Sequence, residues 1–199
     1  MLILENKIKK AIPLLQQYQD ILLQWQKHVN LISNNSINQI WKRHILDSAQ
    51  LYFFISDQSS VLLDVGSGGG FPGIVLSILN KILKGPLKQI YLVESDLKKT
   101  LFLQEVNRKL DLNINILNQR MENVLVKADI ITARAVAPVS ELLALVDKNV
   151  SRETLMIFPK GQHVDDELKN ISDSYIIKKE KSLINPDGCI LLIKKRGNK

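Results

Sequence analysis

Leu62-Leu63-Asp64-Val65-Gly66-Ser67-Gly68-Gly69-Gly70-Phe71-Pro72-Gly73 decides the fold of this chain. An apolar run of strand length ends at Asp64-Val65, and a helical apolar pattern starts at Gly73, so the glycines occupy a strand-to-helix turn. Five of the chain's nine glycines fall within the eight residues 66–73. A plain turn has little use for so many, because each glycine adds chain entropy that folding must remove. A backbone that bends sharply and lets a ligand come close does need them. In an open parallel sheet, ligands settle beyond the carboxyl ends of the strands, where this loop falls. Gly68-x-Gly70-x-x-Gly73 matches the dinucleotide fingerprint, which alone is weak evidence. Asp64 stands two residues before the first glycine and puts a negative charge near the ligand end of the strand. That charge repels a pyrophosphate and tolerates a cationic ligand. The Gly-Lys-Ser/Thr ending of a Walker loop is missing.

Outward from the loop, short apolar runs alternate with helical patterns. Strands are expected at 61–65, 89–94, 114–117, 129–133 and 154–158, and helices at 73–83, 97–110 and 139–150. This alternation predicts a mostly parallel sheet with helices on both faces. Two last strand-like runs, 174–179 and 189–194, flank Asn185-Pro186-Asp187-Gly188, a turn composition, and with no helix between them they should pair antiparallel. The expected architecture is therefore α/β, a seven-stranded, mostly parallel sheet with an antiparallel final strand.

Upstream, Leu4, Ile8, Ile12, Leu15, Tyr18, Leu22 and Trp25 form the stripe of an amphipathic helix, which Pro13 divides in two near Ala11. Ser36 with Gln39 reads as a capping box opening a further helix that buries Ile37, Ile40, Trp41, Ile45 and Ala49 and shows Lys42, Arg43 and Asp47 to water. Asp165-Asp166-Glu167 reads as the acidic first turn of a helix. Residues 1–52 are expected to be a helical extension packed on a single compact domain of residues 53–199.

The 199 residues leave no room for a separate substrate domain, and the longest apolar runs, such as Ile190 to Ile193, are strand-length pieces, where a transmembrane helix needs about 20 apolar residues. The opening MLILENKIKK places its charges after a short apolar patch, the reverse of a secretory signal. One cysteine, Cys189, excludes a disulfide framework or a thiolate metal cage, and His28 and His163 are too isolated to suggest a metal. A soluble, cytoplasmic protein without metal is the expectation. The net charge of +7 is spread along the chain, as +2 over residues 1–60, +2 over 61–150 and +3 over 151–199. A distributed positive field favours a polyanionic partner, while an aromatic content of 6% supplies no base-stacking platform.

Gly66-x-Gly68-x-Gly70, with Asp64 upstream and Glu94 at the end of the second strand, resembles the class I (Rossmann-like) methyltransferase pattern for S-adenosylmethionine (SAM). Asn30-Leu31, Arg43-His44-Ile45-Leu46-Asp47-Ser48, the glycine loop through Phe71-Pro72-Gly73, Ala133-Arg134-Ala135 and Pro159-Lys160-Gly161 narrow the likeness. In this order and spacing they resemble the bacterial small-subunit ribosomal RNA methyltransferase G family, also known as GidB, over nearly the whole chain. The resemblance implies SAM as cofactor, held by Asp64, Gly66, Gly68, Phe71, Glu94, Met121, Glu122 and Arg134. Glu94 would accept from the ribose hydroxyls; Met121 and Glu122 would meet the adenine, unless they are only a capped helical turn. Arg134 would reach the cofactor's carboxylate or an RNA phosphate, or else make an ion pair with an acid such as Glu141. Arg43 and Lys160 are the candidates for RNA contact, against a surface pair of Arg43 with Asp47 and a solvated Lys160. His44, on the apolar stripe, is expected to be a satisfied, partly buried histidine.

By the same resemblance the substrate is 16S rRNA or the small ribosomal subunit, the target atom is ring nitrogen 7 of one guanine (guanine 527 in the family's rRNA numbering), and the chain acts as a monomer. That nitrogen has a free lone pair and no proton, so no general base is required and positioning suffices. The sequence agrees by omission. The catalytic cysteine of ring-carbon pyrimidine methylation has no counterpart beside the loop, and Thr132-Ala133-Arg134-Ala135 is not the Asp/Asn-Pro-Pro-Tyr motif of exocyclic-amine enzymes. The alternatives are a SAM-dependent methyltransferase for a small molecule and a non-catalytic RNA-binding module on the same fold.

Overall fold

The glycine loop follows the central strand of a seven-stranded sheet ordered β3-β2-β1-β4-β5-β7-β6 in a computed structural model that describes residues 2–169 and 171–197. The strands are β1 (Val61–Val65), β2 (Gln89–Val93), β3 (Asn115–Leu117), β4 (Ile130–Ala133), β5 (Leu155–Lys160), β6 (Tyr175–Lys181) and β7 (Cys189–Lys195). β1 pairs in parallel with both β2 and β4, whereas β7 runs antiparallel to β5 and β6. The order reverses at β1, so the chain leaves β1 and β4 on diverging crossovers and opens a crevice at their carboxyl ends.

Each strand alternates its side chains between two cores. Leu62, Leu92, Ile130 and Ile190 face one; Leu63, Val93, Ile131 and Leu191 face the other. The first is covered by α4 (Gly73–Leu83) and α5 (Leu97–Leu110), the second by α6 (Val139–Val146) and α7 (Val164–Leu168). The amino-terminal helices α1 (Leu2–Ile8) and α2 (Ile12–Gln26) join the first core: Leu4, Ile8, Leu15, Tyr18 and Leu22 are buried in it with Ile74, Phe102 and Leu103. α2 lies on α5, where Trp25 meets Phe102 edge-on with ring centroids 5.8 Å apart. Pro13 falls in the first turn of α2, where its missing N–H costs nothing.

The expected strands and the helices of the sheet domain are present, most within two residues of their predicted ends, whereas the single helix expected from Ser36 is not. The helix expected over 139–150 stops as α-helix at Val146 and finishes in a 3-10 turn, Asp147–Asn149. The capping box at Ser36 does not form. Its hydroxyl donates back to the Ser33 carbonyl at 2.8 Å, and residues 34–39 make a 3-10 turn with no side-chain cap. The chain then widens into a π-helical turn, Trp41–Leu46, before α3 (Asp47–Ala49). The extra residue in that turn rotates Asp47 out of water, so that its side chain is 17% exposed rather than on the solvent face. Among the described residues, no helix is long and apolar enough to cross a membrane.

Candidate functional site

Three glycines of the loop, Gly66 (φ 61°), Gly68 (φ 54°) and Gly70 (φ 87°), take left-handed backbone angles that a side chain disfavours. The bend is tied to the sheet on both flanks. Ser67 N–H donates to the Val93 carbonyl at 3.0 Å, and the N–H groups of Gly70 and Phe71 return to the Ser67 carbonyl at 2.7 and 3.2 Å. Glu94, just past β2 and 8% exposed, accepts from Gly68 N–H at 2.9 Å through one carboxylate oxygen and from Asp96 N–H at 2.8 Å through the other. Each oxygen keeps a lone pair for a further donor.

Asp64 points beneath the loop. It is fully buried; one oxygen accepts from the Thr132 hydroxyl at 2.6 Å and the other from Gly73 N–H at 3.2 Å. Thr132 stands level with Asp64 in the β1–β4 register, and Gly73 opens α4, so this carboxyl ties both neighbours of the crevice to β1. Burial pushes its pKa up to about 6, against the lowering pull of Thr132, Ser67, Gly73 and Arg134. Asp64 thus accepts the amide that opens α4, a use compatible with the expected place beside a cationic ligand.

The amino-terminal extension closes the other side. Tyr18, fully buried on α2, donates its hydroxyl to the Gly69 carbonyl, and its ring meets Phe71 at 5.4 Å. Phe71 is 4% exposed; the His44 ring lies 5.0 Å from it, and the Arg134 guanidinium sits over its face at 4.9 Å. Arg134, one residue past β4, donates to the Arg43 carbonyl at 3.0 Å and to Nδ1 of His44, with Asp47 as its ionic neighbour at 3.8 Å. Its acid is thus Asp47 of the extension and not Glu141. The pair expected between Arg43 and Asp47 is replaced by this arrangement, leaving the Arg43 side chain exposed. His44 is half-buried, yet its Nε2 is enclosed without a partner, so the expected satisfied histidine is only half satisfied. Burial, with Arg134 and Arg43 beside it, pushes its pKa down to about 3.

Beyond Arg134 opens a cavity of about 790 Å³, lined on one side by Lys42, Arg43 and His44 of the extension. The loop after β4 lines it through Val136, and the end of β5 through Lys160. The glycine loop flanks this cavity rather than lining it, and the two meet where Val136 rests against Gly66. Lys160 is neither solvated nor free: its ammonium donates to the Ala137 carbonyl at 2.9 Å and to Glu167 at 2.8 Å, and the same Glu167 oxygen accepts from Val139 N–H at 2.8 Å. The lysine therefore braces the loop from Arg134 to Val139, in which Ala135 holds a left-handed φ of 55°. Met121 lies in a 3-10 turn after β3, buried in the second core, with Glu122 exposed next to it.

Whether this site suits a SAM-like ligand is answered by Gly68. A methyl group added there would meet nothing nearer than the Gly66 carbonyl oxygen at 3.7 Å, so the space above it is open, and Glu94 stands beside it with lone pairs to spare. The residues fit. Tyr18 is the residue at the loop that the sequence did not single out; its place on the apolar stripe of α2 hides it among core positions.

A sheet of order 3-2-1-4-5-7-6 with its last strand reversed, a glycine bend after the first strand and an acid after the second, defines the class I methyltransferase fold. Solved structures bear this out. A methyltransferase from Geobacter sulfurreducens aligns with a TM-score of 0.61 at 9% identity, covering 92% of this chain and 88% of that one. M. jannaschii TYW2 in complex with AdoMet aligns at 0.55 and 17% identity, covering 78% and 76%. In sequence, the ribosomal RNA small subunit methyltransferase G of Jannaschia sp. (strain CCS1) is 38% identical over 186 residues, 92% of this chain and 88% of that protein. The protein of the same name from Rickettsia bellii (strain OSU 85-389) is 38% identical over 169 residues, covering 85% and 84%. The family model GidB, rRNA small subunit methyltransferase G, matches residues 11–190, and the chain belongs to that family.

Proposed function

We propose that this chain methylates ring nitrogen 7 of a single guanine in 16S rRNA, guanine 527 in the family's numbering, using SAM, and that it works in the cytoplasm as a monomer on the RNA or the small ribosomal subunit. The observation that carries the reading is the hydrogen bond from Gly68 to Glu94, which puts the acid of the second strand at the open glycine bend of the first, in a chain of this family. In this reading residues 1–52 and 53–199 act as one folded unit.

Bound at the bend, SAM supplies a methyl group activated on a sulfonium, which leaves as a neutral thioether. Gly68 would leave room for that ligand and Gly66 would shape the bend under it, Glu94 would accept from its ribose hydroxyls, and Met121 and Glu122 would border the adenine. Asp64 would hold the bend from below through Thr132 and the amide of Gly73, with its negative charge beside the cationic ligand. Phe71 and Arg134 form the wall between bend and cavity, and the exposed Arg43 offers an RNA phosphate a charge-assisted hydrogen bond. Lys160 supports the cavity loop from behind in this scheme.

No residue is assigned as a general base. His44, the imidazole nearest the cavity, has its pKa pushed down to about 3, which leaves it neutral and a poor proton acceptor at neutral pH. Guanine nitrogen 7 needs no proton removed, so the site's contribution is alignment in a pocket shaped by fixed groups.

The test is to map guanines methylated at nitrogen 7 in 16S rRNA from cells with and without this protein, alongside transfer of labelled methyl from SAM to purified small subunits. One guanine losing its mark in the deletion strain is the expected result. An unchanged rRNA pattern, with label passing to small molecules instead, overturns the proposal.

A further inference from the structure

The two faces of the glycine bend differ in what they touch. Gly66 and Gly68 are half-buried on the open side, whereas Gly69 and Gly70 are buried against the amino-terminal extension. A methyl group added at Gly70 would lie 2.8 Å from the Tyr18 hydroxyl oxygen, and one at Gly69 would lie 3.0 Å from the Leu31 carbonyl oxygen. The Gly69–Gly70 peptide is held at both ends: its carbonyl receives the Tyr18 hydroxyl, and its N–H donates to Ser67. A peptide flanked by two glycines rotates easily, because neither neighbour brings a side chain to resist. Burial raises the Tyr18 pKa well above the ordinary phenol value, with Asp64 adding to the rise and Arg134 opposing it, so the hydroxyl remains a donor wherever the fold persists.

We infer that Tyr18, a residue of the helical extension 51 positions upstream of its partner, is a positioning residue for the cofactor, locking the Gly69–Gly70 peptide so that Gly68 presents the bend the ligand needs. The inference rests on the reading that this bend binds SAM. Without the hydroxyl, the Gly69 carbonyl is left buried against an apolar ring edge, and a rotated peptide relieves it. The rotated loop carries Gly68 and its bond to Glu94 away from the binding geometry, so the ligand must first restore the bend, and affinity falls by the cost of that restoration. The extension therefore contributes to the methyl-donor site as well as to the core.

Tyr18→Phe removes the hydroxyl and keeps the ring on Phe71. Leu15→Ala, on the same helix and fully buried, serves as a variant that loosens the core and leaves the Tyr18 hydroxyl in place. Calorimetric titration of each full-length protein with SAM, well below its melting temperature, is the measurement. Tyr18→Phe is expected to bind SAM roughly fivefold to twentyfold more weakly and to raise KM for SAM while kcat stays near wild type. Leu15→Ala is expected to melt earlier yet bind SAM as wild type does. Hydrogen exchange of the Gly70 amide gives a second readout and should quicken in Tyr18→Phe and not in Leu15→Ala. Equal SAM affinity in wild type and Tyr18→Phe, or weakening of the same size in Leu15→Ala, overturns the inference and leaves the function intact. Absence of SAM binding to the wild type overturns the functional reading itself, and the Gly70 amide then judges the locking on its own: unchanged exchange in Tyr18→Phe refutes it.

Discussion

The open and the closed face of the glycine bend ask for glycine on different grounds. On the closed face the demand is spatial. A methyl group at Gly70 would sit 2.5 Å from Ile74 Cγ1, and one at Gly73 would sit 2.2 Å from Leu92 Cδ2 and 2.7 Å from Asp64 Oδ2. On the open face, Gly68 needs glycine for its left-handed angle and for whatever lies above it, since the protein itself leaves that space clear. Counting glycines in a motif mixes the two demands; only the structure separates the glycines that let the chain pack on itself from those that let a ligand in.

Substitutions can break that contrast. Gly70→Ala combines a left-handed alanine with a clash against Ile74 and Tyr18, and should cost about 3 kcal/mol of stability in urea denaturation. A loss under 1 kcal/mol would show that the closed face has slack. Gly68→Ala meets only the backbone strain and should cost about 1 kcal/mol, while SAM affinity measured by titration falls far more, roughly a hundredfold. Should Gly68→Ala bind SAM like the wild type, the open face is not where the ligand sits.

The smallest expected effect is one of pH. Folded His44 titrates near 3 against an ordinary value of 6.5, so as pH falls from 6.5 towards 3 the unfolded chain takes up a proton that the folded one refuses, and stability is lost. Asp64 works in the opposite sense. Its folded value near 6 lies above the ordinary 3.8, so it binds its proton first in the folded state and regains stability over the window from 6 down to 3.8. His44→Gln should therefore lower the denaturant midpoint less between pH 7 and pH 5 than the wild type does. A larger drop in the variant would show that the imidazole is not held neutral against Arg134.

Most of the sheet was legible because period and punctuation carry it: β1 and α4 begin and end where the apolar pattern and Gly73 predict, and Asn185 to Gly188 mark the antiparallel return. The stretch from Ser33 to Asp47 was not. A capping box needs the Ser36 side-chain oxygen to accept from the Gln39 N–H; here the hydroxyl instead donates to the Ser33 carbonyl, and the stretch becomes a 3-10 turn with no side-chain cap. A π-helical turn leaves no trace in hydrophobic spacing, so Asp47 read as a surface acid when it lies against Arg134. In the site, Glu94 was legible because it is a polar residue at a strand end. Tyr18 was not, because a tyrosine on an apolar stripe looks the same whether its hydroxyl reaches solvent or a carbonyl of the loop. The Asp47 partner of Arg134 was hidden because an ion pair between elements distant in the chain is set by the fold, and Glu167, only seven residues after Lys160, because the turn from β5 into α7 and not a helical spacing brings the two together.

The bond between Tyr18 and Gly69 also has a temporal side. During synthesis the tyrosine leaves the ribosome long before its acceptor, and the stripe that carries it cannot be covered until Phe102 and Leu103 of α5 have followed. The stripe thus waits, sticky and half-built, for the second half of its own support, a window in which apolar surface that the finished fold hides lies open to water.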